Sequence, residues 1–160
     1  MATTPPIVAF LAVLMLAACA DSGEPTETTQ TSAATVEPYA SVVTDHDGEW
    51  RASVDESDFA CADSTEPDRC AAAYQTGSEE AQALYDELSA AHEGELPAEI
   101  AELVADTEAA AADYSAAYEA WAATGCVYPL NAHCGADEAL AMFEAQGELT
   151  RQLDAWKALH

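Results

Sequence analysis

Between Pro97 and Gly125, residues Ile100, Thr107, Tyr114 and Trp121 recur every seven positions, with Leu103, Val104, Ala110, Ala111, Ala117 and Tyr118 in the adjacent places. This is one apolar stripe at helical spacing. Glu99, Glu102, Asp106 and Asp113 fall on the opposite face and should be in water. Pro97 suits a first helical turn, Gly125 suits a left-handed stop, and the alanines between them have the best intrinsic helix propensity. The pattern predicts a helix over about 97–124.

Two further stretches carry the same period. Cys70, Tyr74, Gly77, Ala81, Leu84, Leu88 and Ala91 define a stripe over about 66–92 that passes through Thr76-Gly77-Ser78 without slipping. Ser78 offers an alternative as the cap of a fresh start. Leu140, Phe143, Gly147, Leu153 and Trp156 define a third helix over about 136–159, with Asp137 and Glu138 in its first turn and Lys157 in its last, as the helix dipole prefers. The expected fold is all-α: an antiparallel three-helix up-down-up bundle over 66–160, with disulfides at one end. Counting from the turns places Tyr114 opposite Gly147 and near Tyr74, and Gly77 opposite Ala110 and Ala111.

The preceding chain reads differently. Residues 39–65 contain two short β-branched pieces around Asp47-Gly48, which point to a hairpin or a turn-rich arm packed on the domain through Trp50. Residues 19–38 are rich in Thr, Ser, Glu and Pro and poor in large apolar side chains. Such a segment cannot bury enough surface to offset its ordering entropy, so a disordered tether is expected there.

Residues 7–18, "IVAFLAVLMLAA", are continuously apolar, too short to span a bilayer and the right size for the hydrophobic region of a signal peptide over 1–18. Leu16-Ala17-Ala18-Cys19 resembles the lipobox of bacterial lipoproteins, although the leader "MATTPP" lacks Lys and Arg. The whole chain resembles the small envelope lipoproteins of high-GC Gram-positive bacteria. The resemblance implies that the Cys19 thiol is diacylglycerylated and becomes a fatty-acylated N-terminus after cleavage. It further implies a protein held by lipid on the extracytoplasmic face of the cell membrane. Two or three acyl chains anchor firmly, at roughly 0.8 kcal/mol per buried CH₂.

The chain holds 30 acidic side chains against four Lys and Arg, a net charge of −26, and none of these groups precedes Ala20. Phosphate backbones and anionic lipid heads repel such a chain, which excludes nucleic acid as a partner. Cations, or the basic surface of a protein or cell-wall component, are the complementary partners.

Once Cys19 is lipidated, Cys61, Cys70, Cys126 and Cys134 remain. An even count in an exported chain points to disulfides. The bundle brings all four thiols to one end, which leaves three connectivities open. Cys61–Cys70 and Cys126–Cys134 close the smallest loops. Metal ligation by Cys126, His133 and Cys134 has the wrong spacing for zinc, and no Cys-x-x-Cys redox pair occurs.

Catalytic patterns are absent from the sequence. There is no Gly-x-Ser-x-Gly, no His-Glu-x-x-His, no phosphate-cradling glycine loop and no Glu-x-x-His pair for a di-metal bundle. The four histidines, His46, His92, His133 and His160, read as isolated surface residues. The expectation is a non-enzymatic interaction or scaffold protein without a cofactor. The alternative is a divalent-cation binder. Asp45, Asp47, Glu49 and Glu56 occupy positions 1, 3, 5 and 12 of a calcium loop, although Trp50 stands where that loop needs Gly.

Overall fold

The computed structural model describes residues 28–62, 66–92, 96–126 and 135–159, with the side chains of the first helix described from Val36 onward. Among these residues there are four α-helices and no strands: α1 (Thr28–Ala62), α2 (Pro67–Ala91), α3 (Ala101–Ala123) and α4 (Ala136–Trp156). A single 3-10 turn, Lys157–Leu159, follows α4. The expected all-α bundle is present, with four helices in place of three.

The difference lies in α1. The expected hairpin or turn-rich arm over 39–65 is instead helix through Ala62, and the expected tether is already helical from Thr28. Tyr39, Val43, His46, Trp50, Ser53, Ser57 and Ala60 are all buried. Their spacing alternates four and three residues, which is the inner stripe of a packed helix. Burial along this stripe overrides the local β preference of Val42 and Val43 and the turn preference of Asp47-Gly48. Gly48 has nothing within 4 Å of the place a Cβ would occupy, and its φ is not positive, so it serves as an ordinary exposed helical residue. Once this part of α1 is docked, each further helical residue costs little, so the helix extends through Pro38 toward its N-terminus. Trp50 does anchor the segment, at 1% exposure.

The other helices follow their stripes closely. Cys70, Tyr74, Gly77, Ala81, Leu84 and Leu88 are buried in α2, and Pro67 occupies its first turn. Ile100, Val104, Thr107, Ala110, Ala111, Tyr114 and Trp121 are buried at α3, and its acidic face is exposed. Pro97 opens a turn, with the Ile100 N–H donating to its carbonyl at 3.0 Å, before α3 begins at Ala101. Gly125 ends α3 with a φ of +72°, a conformation that glycine adopts without steric cost. In α4 the buried face is rotated from the expected one. It comprises Ala139, Met142, Gln146, Leu149, Gln152, Leu153 and Trp156, while Leu140 is 56% exposed and Gly147 is exposed. Two glutamines occupy inner positions, which polarity alone would have assigned to solvent.

Contacts tie the end of one helix to the start of its neighbour in the α1–α2 and α3–α4 pairs. Tyr39, early in α1, donates its hydroxyl to the Ala91 carbonyl at the end of α2 (3.1 Å), and Cys61 is joined to Cys70 at the other end. Trp156, at the end of α4, donates its indole N–H to Thr107 Oγ1 near the start of α3 (2.9 Å). The register expected for Gly77 is off by about one turn. A Cβ there would lie 3.0 Å from the Tyr114 hydroxyl and 3.2 Å from Ser53 Oγ, so Gly77 faces Tyr114. Gly147 faces open space and does not accommodate that ring. The Tyr114 ring instead meets Trp50 edge to face, with centroids 4.8 Å apart.

Candidate functional site

Three places concentrate polar chemistry: the α1–α2 seam, the α1–α4 seam and the outer groove between α3 and α4. Each is positioned by an inner stripe that turns a charged neighbour toward the next helix.

At the α1–α2 seam His46 is buried at 8% exposure. Its Nδ1 stands 2.5 Å from Glu80 Oε1 and its Nε2 3.4 Å from Glu87 Oε2, both carboxylates belonging to α2. His92, at the end of α2, has Nε2 3.3 Å from Glu108 of α3 without an aligned hydrogen bond, and its ring lies edge-on to Tyr39. Neither histidine is an isolated surface residue, which corrects the expectation for both. His133 and His160 lie outside the described residues.

The α1–α4 seam is thin and charged. Trp50 Nε1 donates to Thr150 Oγ1 at 3.1 Å. Beside it Arg51 reaches Asp47 (2.8 Å) and Asp154 (2.7 Å), and Lys157 reaches Asp47 (3.3 Å) and Asp154 (3.1 Å). The hydrogen bond from Lys157, followed by the charge of Arg51, holds the Asp154 carboxyl below its ordinary range. Arg69 forks onto Glu56 (2.6 and 3.1 Å), also bonds Glu66 (3.1 Å), and lies over the Phe59 ring at 5.0 Å. Arg151 pairs with Glu148, and that bond, with a second from Gln152, lowers the Glu148 carboxyl. All four Lys and Arg side chains of the chain are therefore engaged within the molecule.

The calcium-loop alternative does not survive this geometry. Residues 45–56 are continuous helix, so Asp45, Asp47, Glu49 and Glu56 do not wrap a common centre. Asp47 is committed to Arg51 and Lys157, Glu56 to Arg69, and Asp45 and Glu49 are exposed. Among the described residues no three His, Cys, Asp or Glu side chains are grouped to hold a metal ion.

The outer groove between α3 and α4 has a volume of about 280 Å³ and is lined by Asp106, Ala110, Asp113, Glu148, Arg151 and Gln152. Its floor is alanine and its walls are mostly carboxylate, so it is complementary to a cationic side chain rather than to an anion.

The cysteines behave as a staple. Cys61 and Cys70 form a disulfide with Cα atoms 4.8 Å apart, at 4% and 0% exposure. Cys126 is also disulfide-bonded, and the partner expected for it, Cys134, lies outside the described residues. Tyr74, one turn after Cys70, meets Trp121 of α3 at 5.7 Å and Phe143 of α4 at 6.0 Å. The start of α2, the end of α3 and the start of α4 therefore share one end of the bundle. Burial pushes the Tyr74 hydroxyl up to about 12, against the opposing hydrogen bond with Ser57, and raises Tyr114 further still. Neither phenol is suited to give up a proton near neutrality, so both act as packing groups. Cys19 and the apolar leader also lie outside the described residues, and no described helix is long and apolar enough to cross a membrane.

No family model, no curated protein and no solved structure matches this chain.

His46, Glu80 and Glu87 are the constellation that residue-level reading did not assemble. The available signal was the four-three spacing of Tyr39, Val43, His46 and Trp50, which places His46 on an inner face.

Proposed function

We propose that this is a lipid-anchored protein of the cell envelope, acylated at Cys19, whose acidic bundle docks non-enzymatically onto a basic protein or cell-wall surface. The observation that carries the reading is the internal consumption of every Lys and Arg. With 30 acidic side chains against four Lys and Arg, carboxylates far outnumber the fixed cations, so the domain carries a large net negative charge. Two features support export: the lipobox-like Leu16-Ala17-Ala18-Cys19, and a buried disulfide, which persists in oxidising compartments. In this reading a second staple, Cys126–Cys134, closes the connection between α3 and α4. The four helices run up-down-up-down with all four non-lipidated cysteines at one end.

Intact mass of protein extracted from membranes, with and without reduction, tests the anchoring half. The expected product begins at Cys19, carries acyl chains and gains the mass of four hydrogens on reduction. A product free in the medium and cut elsewhere would refute it. For the docking half, the purified bundle is applied to immobilised polylysine and to envelope extracts at stepped NaCl concentrations. Retention should fall steeply as the screening length shrinks toward about 3 Å at 1 M salt. Retention that ignores salt, or no retention at low salt, removes the electrostatic partner.

A further inference from the structure

We propose that His46 is a proton-operated latch: with both ring nitrogens protonated it bridges Glu80 and Glu87, and loss of that proton loosens α1 from α2. The argument starts from the inventory of an imidazole. A neutral ring carries one N–H and one lone pair, whereas the protonated ring carries two donors. His46 presents each nitrogen to a different carboxylate, at 2.5 Å from Glu80 and 3.4 Å from Glu87. In the neutral ring, whichever nitrogen lacks the proton points a lone pair at a carboxylate oxygen. Only the cation satisfies both contacts, and at 8% exposure the residue has little access to water as a substitute.

The surroundings place no other cation on this site. On α1 itself, Asp45 and Glu49 lie close to His46 in sequence and are exposed, and Asp47 is taken by Arg51 and Lys157. On α2 the facing charges are Glu80, 19% exposed, and Glu87, 60% exposed. Asp154 of α4 and Lys157 just after it reach Arg51 and Asp47 rather than His46, and α3 meets α1 through Tyr114 on Trp50. The other titratable ring at this seam, His92 at the end of α2, packs edge-on against Tyr39 and turns its Nε2 to Glu108 of α3, so the proton on His46 alone faces Glu80 and Glu87. In its absence, a lone pair on the buried ring meets one of the two carboxylates, of which Glu80 is largely withdrawn from water. The helix affected depends mainly on this seam, since α1 packs chiefly on α2 and only thinly on α4. Acidification fastens α1 and alkalinisation frees it, without reference to any binding partner.

Amide hydrogen exchange of the intact domain tests the latch on the wild-type protein. Measurements at pH 5.5 and pH 8.5 are corrected for intrinsic exchange rates. Protection of the α1 amides between Tyr39 and Trp50 should fall by roughly tenfold at the higher pH, the factor that one hydrogen bond to a charged group is worth. The amides of α3 should change far less. The Glu87→Gln variant alters an exposed side chain and leaves the Glu80 contact in place, so it should fold and show a reduced pH response confined to α1. A His46→Gln variant, where folded, should show almost none. Unchanged α1 protection in the wild type would overturn the latch. So would an equal loss in α1 and α3, which is the signature of general charge repulsion. A Glu87→Gln response identical to the wild type would also overturn it.

Discussion

Helices α1 and α3 lie on the bundle with inner stripes of the same heptad spacing, yet they are held by different forces. In α3 the stripe is Ile100, Val104, Thr107, Ala111, Tyr114 and Trp121, and its hold is mostly burial of apolar surface. In α1 the stripe is Tyr39, Val43, His46, Trp50, Ser53, Ser57 and Ala60, so three of the seven positions are histidine or serine. Ser53 and Ser57 return their hydroxyls to their own helix, to the carbonyls of Trp50 (2.7 Å) and Val54 (2.8 Å). Ser57 also hydrogen-bonds the Tyr74 hydroxyl of α2, a single polar contact across that seam. What fixes α1 is therefore a few discrete devices: the Trp50 ring, the Cys61–Cys70 staple, the His46 contacts and the ion pairs with α4. A helix held by a continuous apolar stripe degrades gradually under mutation, whereas one held by discrete devices fails where a device is removed.

The largest effect that would sharpen this contrast is expected at Trp50. Truncation to Ala removes the ring that packs on Tyr114 at 4.8 Å and the indole bond to Thr150. Losses of about 3–5 kcal/mol are usual for a buried tryptophan. Chemical denaturation of Trp50→Ala should show that loss, or a separate early transition in which α1 leaves first. A loss below 1 kcal/mol would mean that α1 is held elsewhere.

Reduction of Cys61–Cys70 should come next. Closing so short a loop contributes about 2–3 kcal/mol by the chain-entropy model. The staple joins α1 to α2, so its loss should lower exchange protection in the C-terminal half of α1 more than in α3. A Cys61→Ser/Cys70→Ser double variant with unchanged stability would break the proposed division.

A third test uses alkali. Tyr74 and Tyr114 lie where α1 meets the other helices, and burial raises both phenols above the ordinary value of 10.0. Above that value the unfolded chain ionises its tyrosines while the folded one does not, so stability is lost as pH rises from about 10 toward the folded values. For Tyr74, at about 12, the loss by pH 12 amounts to about 2 kcal/mol. Tyrosinate absorbance from these two rings should appear together with unfolding. Ionisation with the far-UV dichroism unchanged would show that the rings are reachable by solvent in the folded state.

How much of this was legible in the residues follows the same contrast. The helices α2 and α3 could be read because their stripes are filled with residues whose burial needs no explanation, such as Leu84, Leu88, Ile100 and Trp121. The buried face of α4 was misplaced because Gln146 and Gln152 hold inner positions while Leu140 sits in solvent. The helical state of α1 was hidden for a related reason. Its inner positions are His46, Ser53 and Ser57, and Asp47-Gly48 imitates a turn. A polar residue in a helical stripe is interpretable only when its partner is known, and the partners here come from distant segments: Glu80 for His46 and Thr150 for Trp50. The Cys61–Cys70 pairing was legible because short loops close most readily. The histidine contacts were not, because they are products of the packing between α1 and α2.

The smallest effects separate two glycines on the same pair of helices. Gly48 in α1 is exposed with open space around it, so Gly48→Ala removes backbone freedom from the unfolded chain and should stabilise by up to about 1 kcal/mol. Gly77 in α2 stands against the Tyr114 hydroxyl at 3.0 Å and Ser53 Oγ at 3.2 Å. Neither neighbour can withdraw freely, since the tyrosine ring is backed by Trp50 and the serine is bonded to the Trp50 carbonyl. Gly77→Ala should therefore lose more in packing than it gains in helix propensity, a net cost of about 1 kcal/mol. Urea midpoints of the two variants should move in opposite directions. If both rise, Tyr114 can shift away from α2 without cost, and the close contact that locks α1, α2 and α3 together at this level is softer than its distances imply.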